Sequence, residues 1–127
     1  MPTVTVTADS LDKTITENEI VLLDFWADWC GPCKQFAPVF EKSSDDNTDV
    51  VYGKIDTEDQ QQLAAAAQIT SIPTLMAFKN GVHVFRQAGS LPAPALADLV
   101  AQLKALDVEA AMKAQAEADA AATTPAE

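Results

Sequence analysis

Residues 20–27 read IVLLDFWA, a continuous apolar run holding a single acid. It falls well short of the roughly 20 residues of a membrane span, and it lacks the alternation of a strand with one wet face. The pattern is that of a strand buried on both faces, and such a strand needs helices on each side of its sheet. The rest of the chain supplies them. TVTV (residues 3–6) alternates and reads as a short strand, after which Asp9 or Ser10 can cap a helix running to about Asn18. PCKQFAPVFEKS (32–43) reads as a helix that Pro38 should kink, and VVYGKID (50–56) as a third strand. TEDQQQLAAAAQ (57–68) has a capping residue and strong helix formers, so it is expected to be a crossover helix. TLMAFKN and HVFRQAG flank Asn80-Gly81, a strong signal for an antiparallel hairpin. Leu96, Leu99, Val100, Leu103 and Leu106 fall at helical spacing and give a last helix one core-facing stripe. The order β-α-β-α-β-α-β-β-α describes an α/β protein. Its mixed five-stranded central sheet has a parallel front half and an antiparallel C-terminal hairpin, with four helices on the two faces.

At 127 residues the chain is long enough for one domain with a real core and too short for two. Residues 1–106 carry that domain. From Asp107 onward the composition turns alanine-rich and acidic, so residues 107–127 are expected to extend the last helix and then fray into a disordered tail. A partner-binding helix is the sharper alternative. With 8 Lys+Arg against 19 Asp+Glu, the net charge of −11 argues against nucleic acid, whose phosphates need basic side chains, and against an anionic membrane surface. The first twenty residues lack the basic and apolar regions of a secretory signal, which makes a cytoplasmic home the default expectation. In that compartment a structural disulfide is uncommon and a redox one is at home. Asp45, Asn47 and Asp49 mimic the start of a calcium loop, but Val50 stands where its glycine is required and Asp56 where its glutamate is, so DDNTD is a polar turn. His83 follows the hairpin turn on an exposed strand and is expected to be solvated.

Both cysteines of the chain, Cys30 and Cys33, stand in WCGPC just after the buried run. A closed zinc site wants about four ligands, and even with His83 this set is one short. Three residues along a helix rotate by about 300° and rise about 4.5 Å, which leaves two cysteines on one face and within bridging distance. As a staple such a bond is weak: so small a loop gains about 2 kcal/mol, against about 4.7 for one of about 100 residues. The spacing therefore favours a bond meant to open and close. Gly31 and Pro32 form the strand-to-helix turn, with Pro32 suited to the first helical position. That places Cys30 at the helix N-terminus, where unpaired N–H groups and the positive dipole end favour the thiolate, the attacking species. Cys33, one turn further in, is expected to be better shielded and to resolve the mixed disulfide that Cys30 forms. The bland alternative is a pair of inert, buried thiols, which the strand-turn-helix context disfavours.

DFWADWCGPCKQFAP, followed in order by KID, SIPT, FKNG and QAG, resembles the thioredoxin family over residues 4 to about 106. The resemblance implies the thioredoxin fold and a protein-disulfide reductase with no bound cofactor, since electrons reside in the Cys30–Cys33 couple. It further implies recycling by an NADPH-dependent flavoprotein thioredoxin reductase, disulfide-containing client proteins and a monomer. The Gly-Pro dipeptide is that of the reducing members. An oxidase or isomerase of the same fold, and a binding module that uses the same surface with incidental thiols, are the alternatives.

Asp24 stands in the buried run, where an isolated carboxylate is costly unless its pKa rises. By resemblance it exchanges a proton with Cys33, through water, while capping a nearby backbone group is the structural alternative. Lys54 matches the family's lysine near that acid and would favour its charged form, although it could equally be a surface lysine. On the sequence alone Pro73 reads as a trans strand start. The resemblance instead implies a cis Ile72–Pro73 bond facing the dithiol, with the backbone of Ile72 turned out to pair with an extended substrate. Trp26 is expected in the core. Trp29 is expected to be partly exposed beside Cys30, in an apolar contact surface with Gly31, Pro32, Ile72, Pro73, Ala88 and Gly89. Gly81 serves the hairpin turn, and Gly89 is expected to permit a close backbone approach.

Overall fold

The computed structural model describes residues 3–122. Its elements run β1 (Thr3–Thr5), α1 (Ala8–Thr16), β2 (Ile20–Trp26), α2 (Gly31–Asp46), β3 (Val51–Asp56), α3 (Gln61–Ala66), β4 (Thr74–Lys79), β5 (Val82–Ala88), α4 (Ala93–Ala105) and α5 (Val108–Ala122). The sheet order is β1-β3-β2-β4-β5, with β1, β3 and β2 parallel and β4 and β5 antiparallel to their neighbours. The apolar run therefore lies at the centre of the sheet. Alternation sends Ile20 and Leu22 to the face covered by α2 and α4, where they meet Phe36, Phe40, Tyr52, Leu96 and Val100. Val21, Leu23 and Phe25 point to the other face, packing with Val6, Ile55 and Met76 and with Leu11 of α1 and Leu63 of α3. Asn80 and Gly81 both take positive φ, 52° and 80°, as a two-residue hairpin turn requires.

Several boundaries differ from the sequence reading. Thr7, rather than Asp9 or Ser10, caps α1: its N–H donates to Ser10 Oγ at 3.0 Å, and the next N–H, of Ala8, donates to Gln60 Oε1 across the fold. α3 starts only at Gln61, because the Asp56 carboxylate accepts from the N–H groups of Glu58 and Asp59 and holds them in a turn. Pro38 sits inside α2, which continues through it. The tail does not extend the last helix. Leu106 turns to φ −68°, ψ 128°, and Asp107 Oδ1 accepts from Ala110 N–H at 3.0 Å to start a separate helix, so among the described residues five helices stand where four were expected. Val108, the first residue of α5, is buried, whereas residues 109–121 are exposed; the expected disordered end, residues 123–127, lies outside the described residues.

Two structural residues carried no sequence signal. A Cβ on Gly53 would come within 2.7 Å of Val6 Cγ2 and 2.9 Å of Leu23 Cδ2, so a side chain there would have to displace two buried methyl groups. Lys79 is buried at 4% exposure, and its Nζ donates to the carbonyls of Leu103, Lys104 and Leu106 at 2.6, 3.1 and 2.7 Å. Those carbonyls end α4, where helical partners run out; that of Leu103 also accepts the Leu106 N–H at 3.3 Å, and one side chain ties α4 to the sheet. Lys79→Met, which keeps the apolar stem and deletes the donors, should destabilise the fold by about 2–4 kcal/mol. Urea unfolding checks this, and a loss under about 0.5 kcal/mol would mean that water serves these carbonyls equally well.

Candidate active site

The end of β2 hands the chain through Ala27–Trp29 to Cys30, which is the N-cap residue of α2. Gly31 is the first helical residue and Pro32 the second, one place later than expected. Because Pro32 has no N–H to offer, the next free donor is the N–H of Cys33, and it points at Cys30 Sγ from 3.2 Å. A backbone donor and the positive end of a 16-residue helix thus converge on this one sulfur. The two cysteines are joined as a disulfide with Cα atoms 5.2 Å apart, inside the range that needs no backbone movement. In this oxidised form the two are covered alike, at 3% and 4% exposure, so the better shielding expected for Cys33 is not seen.

The Ile72–Pro73 bond is cis. The carbonyl oxygen of Ile72 stands 3.6 Å from Cys30 Sγ, and no hydrogen bond to the Ile72 N–H is found among the described residues. Between this loop and the disulfide lies a groove of about 390 Å³, walled by Trp29, Gly31, Pro32 and Ile72 and also by Thr57, Ala64, Ile69, Thr70 and Ser71. Trp29 is 68% exposed, an unusual position for so large an apolar side chain. The last five wall residues were not foreseen; Ile69, Thr70 and Ser71 stand just before Ile72-Pro73, whereas Thr57 and Ala64 carried no signal. Pro73, Ala88 and Gly89 lie beside the groove rather than in its wall. Pro73 is buried, Ala88 pairs with Thr74 in the hairpin, and the Gly89 N–H donates to the Pro73 carbonyl at 2.7 Å. A Cβ on Gly89 would meet nothing within 4 Å, so its φ of +99°, and not the expected close approach, calls for glycine.

Asp24 shares its face of β2 with Leu22 and Trp26, the side covered by α2. Its carboxylate is buried, and neither oxygen has a hydrogen-bond partner, which removes the capping alternative. Burial pushes its pKa up from 3.8 to about 7, against the opposing pull of Lys54, its register partner on β3. Lys54 forms none of the described ion pairs; its Nζ lies 5.1 Å from the centroid of the Trp26 ring. Trp26 is only half-buried, and its indole N–H is unpartnered. A cleft of about 110 Å³ runs between Trp26, Cys33 and Lys54, roomy enough for water and lined by groups that would bind it. Among the described residues no group of three or more His, Cys, Asp or Glu could hold a metal. His83 is exposed, as expected.

Because the folded carboxyl binds its proton more tightly than the unfolded one, the folded state carries more protons between about pH 4 and 7, and stability falls as pH rises through that window. Asp24→Asn cannot ionise. In urea unfolding of the oxidised protein it should exceed the parent by roughly 4 kcal/mol at pH 8 and by little at pH 4. An equal gap at both values would show that ionisation of Asp24 carries no such cost.

The family model described as Thioredoxin matches residues 2–102. The "Putative thioredoxin 2" of Streptomyces coelicolor is 53% identical over 120 residues, covering 94% of this chain and 90% of its own length. A thioredoxin of Mycoplasma genitalium is 40% identical over 89 residues, 70% of this chain and 87% of its own. Among solved structures, a mutant thioredoxin from Halobacterium salinarum superposes with a TM-score of 0.76 at 36% identity, over 84% of this chain and 95% of its own. These likenesses span the sheet, the cysteine turn and the loop opposite it, and the paired thiols at bridging distance are equipped for dithiol–disulfide exchange: the chain belongs to the thioredoxin family of protein-disulfide oxidoreductases.

Proposed function

We propose that the chain is a general reductant of client-protein disulfides, with Cys30 as nucleophile and Cys33 as resolving thiol. The observation that carries this reading is the Cys33 N–H aimed at Cys30 Sγ at the start of α2, on the floor of an open groove. A donor on that sulfur favours its thiolate at neutral pH. The Cys30 thiolate attacks one sulfur of the client disulfide, forms a mixed disulfide and expels the first client thiolate. Cys33 then loses its proton and attacks Cys30 Sγ. The second client thiolate leaves, and the Cys30–Cys33 disulfide forms as two electrons pass to the client. Asp24, half protonated near pH 7 on the α2 side of β2, accepts the Cys33 proton through water in the neighbouring cleft, and Lys54 moderates its pKa. The client segment lies extended against Trp29, Gly31, Pro32 and Ile72, and pairs with the free N–H and the carbonyl of Ile72 as an added strand. Pro73, Ala88 and Gly89 hold that loop in place from behind.

Reduction of the oxidised form falls to a thioredoxin reductase, taken here as an NADPH-dependent flavoprotein. The protein works as a monomer in the cytoplasm, in keeping with a fold in which no described helix is long and apolar enough to cross a membrane. Residues 1–106 form the working unit, and 107–127 are an appendage to it.

Cys33→Ser should accumulate a covalent mixed disulfide with an oxidised client on non-reducing gels, and Cys30→Ser should form none. If both variants, and the double variant, kept full function, the surface would be a docking module with incidental thiols. Equilibration in defined thiol/disulfide buffers, read by tryptophan fluorescence, should give a reduction potential close to the roughly −270 mV established for thioredoxins. A value near −120 to −180 mV would make the protein an oxidant or isomerase.

A further inference from the structure

The groove wall formed by residues 69–72 follows directly on α3, a helix of only six residues. A helix this short has little cohesion of its own, so its end has to be held from outside. Part of that hold is local. The Ile69 N–H donates to the Ala64 carbonyl and the Gln68 N–H to that of Ala65, a Schellman arrangement in which Gln68 takes the left-handed position, φ 58°, usually given to glycine. The carbonyls of Ala67 and Gln68 remain, and Arg86 of β5 takes both: Nη1 donates to Ala67 at 2.6 Å and Nη2 to Gln68 at 2.5 Å. A planar fork serves two carbonyls at once in a way that a lysine cannot. At the other end of the wall, Thr74 Oγ1 donates to the Ser71 carbonyl at 2.6 Å. The segment is thus fastened at both ends, and Arg86 reaches it from the edge strand without touching the groove.

We propose that Arg86 is a positioning residue for client binding. By pinning the end of α3 it holds Ile69–Ile72 at the distance from the disulfide at which a client segment can pair with the Ile72 backbone. This rests on the reading of the groove as the client site. It predicts a split between substrates, since a protein disulfide needs the wall and a small disulfide needs only the sulfur.

The test uses the full chain, reduced, with insulin as the protein disulfide and hydroxyethyl disulfide as the small one. Arg86→Met should raise KM for insulin about tenfold with kcat little changed. The rate on hydroxyethyl disulfide, its pH profile and the reduction potential should stay within about twofold of the parent. Arg86→Lys should recover only part of the loss, and amide exchange at residues 69–72 should quicken in Arg86→Met and, to a lesser extent, in Arg86→Lys. Unchanged insulin kinetics, or an equal slowing on both disulfides with a shifted pH profile, would overturn the proposal. If Arg86→Met fails to fold, Arg86→Lys carries the comparison by itself: a raised insulin KM with normal hydroxyethyl disulfide rates supports the proposal, and parental kinetics overturn it. A parent protein that reduces neither disulfide would instead defeat the reductase reading.

Discussion

Strand β2 has neighbours on both edges and helices on both faces, and most of what the molecule can do follows from that enclosure. An apolar strand in this position stabilises the fold simply by leaving water. A carboxylate in the same position has no such option, and Asp24 answers by holding its proton up to about pH 7. The same enclosure fixes where β2 ends, and so where Cys30 emerges and which way α2 departs. A buried acid and a helix-end sulfur are therefore held in one frame by a single strand.

The site combines an expensive group with an exposed one. Asp24 sits unpartnered in the interior, and Trp29 stands in solvent beside the sulfur. Each departs from the usual distribution of polar and apolar groups, and in the proposed reaction each departure serves the exchange of bonds at Cys30. Where folding alone is at stake the rules hold: Lys79 is buried but has three acceptors, and Gly53 leaves room for the packed methyls of Val6 and Leu23. Departures left without compensation gather near function.

How far this could be read in the sequence depended on whether the cause was local. The buried run, the Asn80-Gly81 hairpin, the leucine stripe of α4 and the helix-end placement of Cys30 each follow from neighbouring residues, and each is found. Thr7 as a cap depends in part on Gln60, 52 residues from Ala8, and the late start of α3 on a side chain of the preceding strand. The break before α5 comes where Lys79 gathers the carbonyls that end α4. Residues so far apart leave no periodicity to detect. At the site, the thiols and Asp24 were legible because CxxC and a lone acid in an apolar run are short-range signals. Thr57, Ala64 and Thr70 were not, since only the fold brings them to the groove.

The wall of the groove has one further property: none of the residues that form it carries a charge, although the chain as a whole stands at −11. Charge and contact are thus assigned to different stages of an encounter. At a distance the molecule is an anion, and salt, by shortening the reach of its field to about 8 Å at physiological ionic strength, governs which partners approach quickly. On the proposed reading, a segment that lies in the groove is held by apolar surface and backbone pairing, which ionic strength barely touches. Partners are sorted by sign on arrival and by shape in residence.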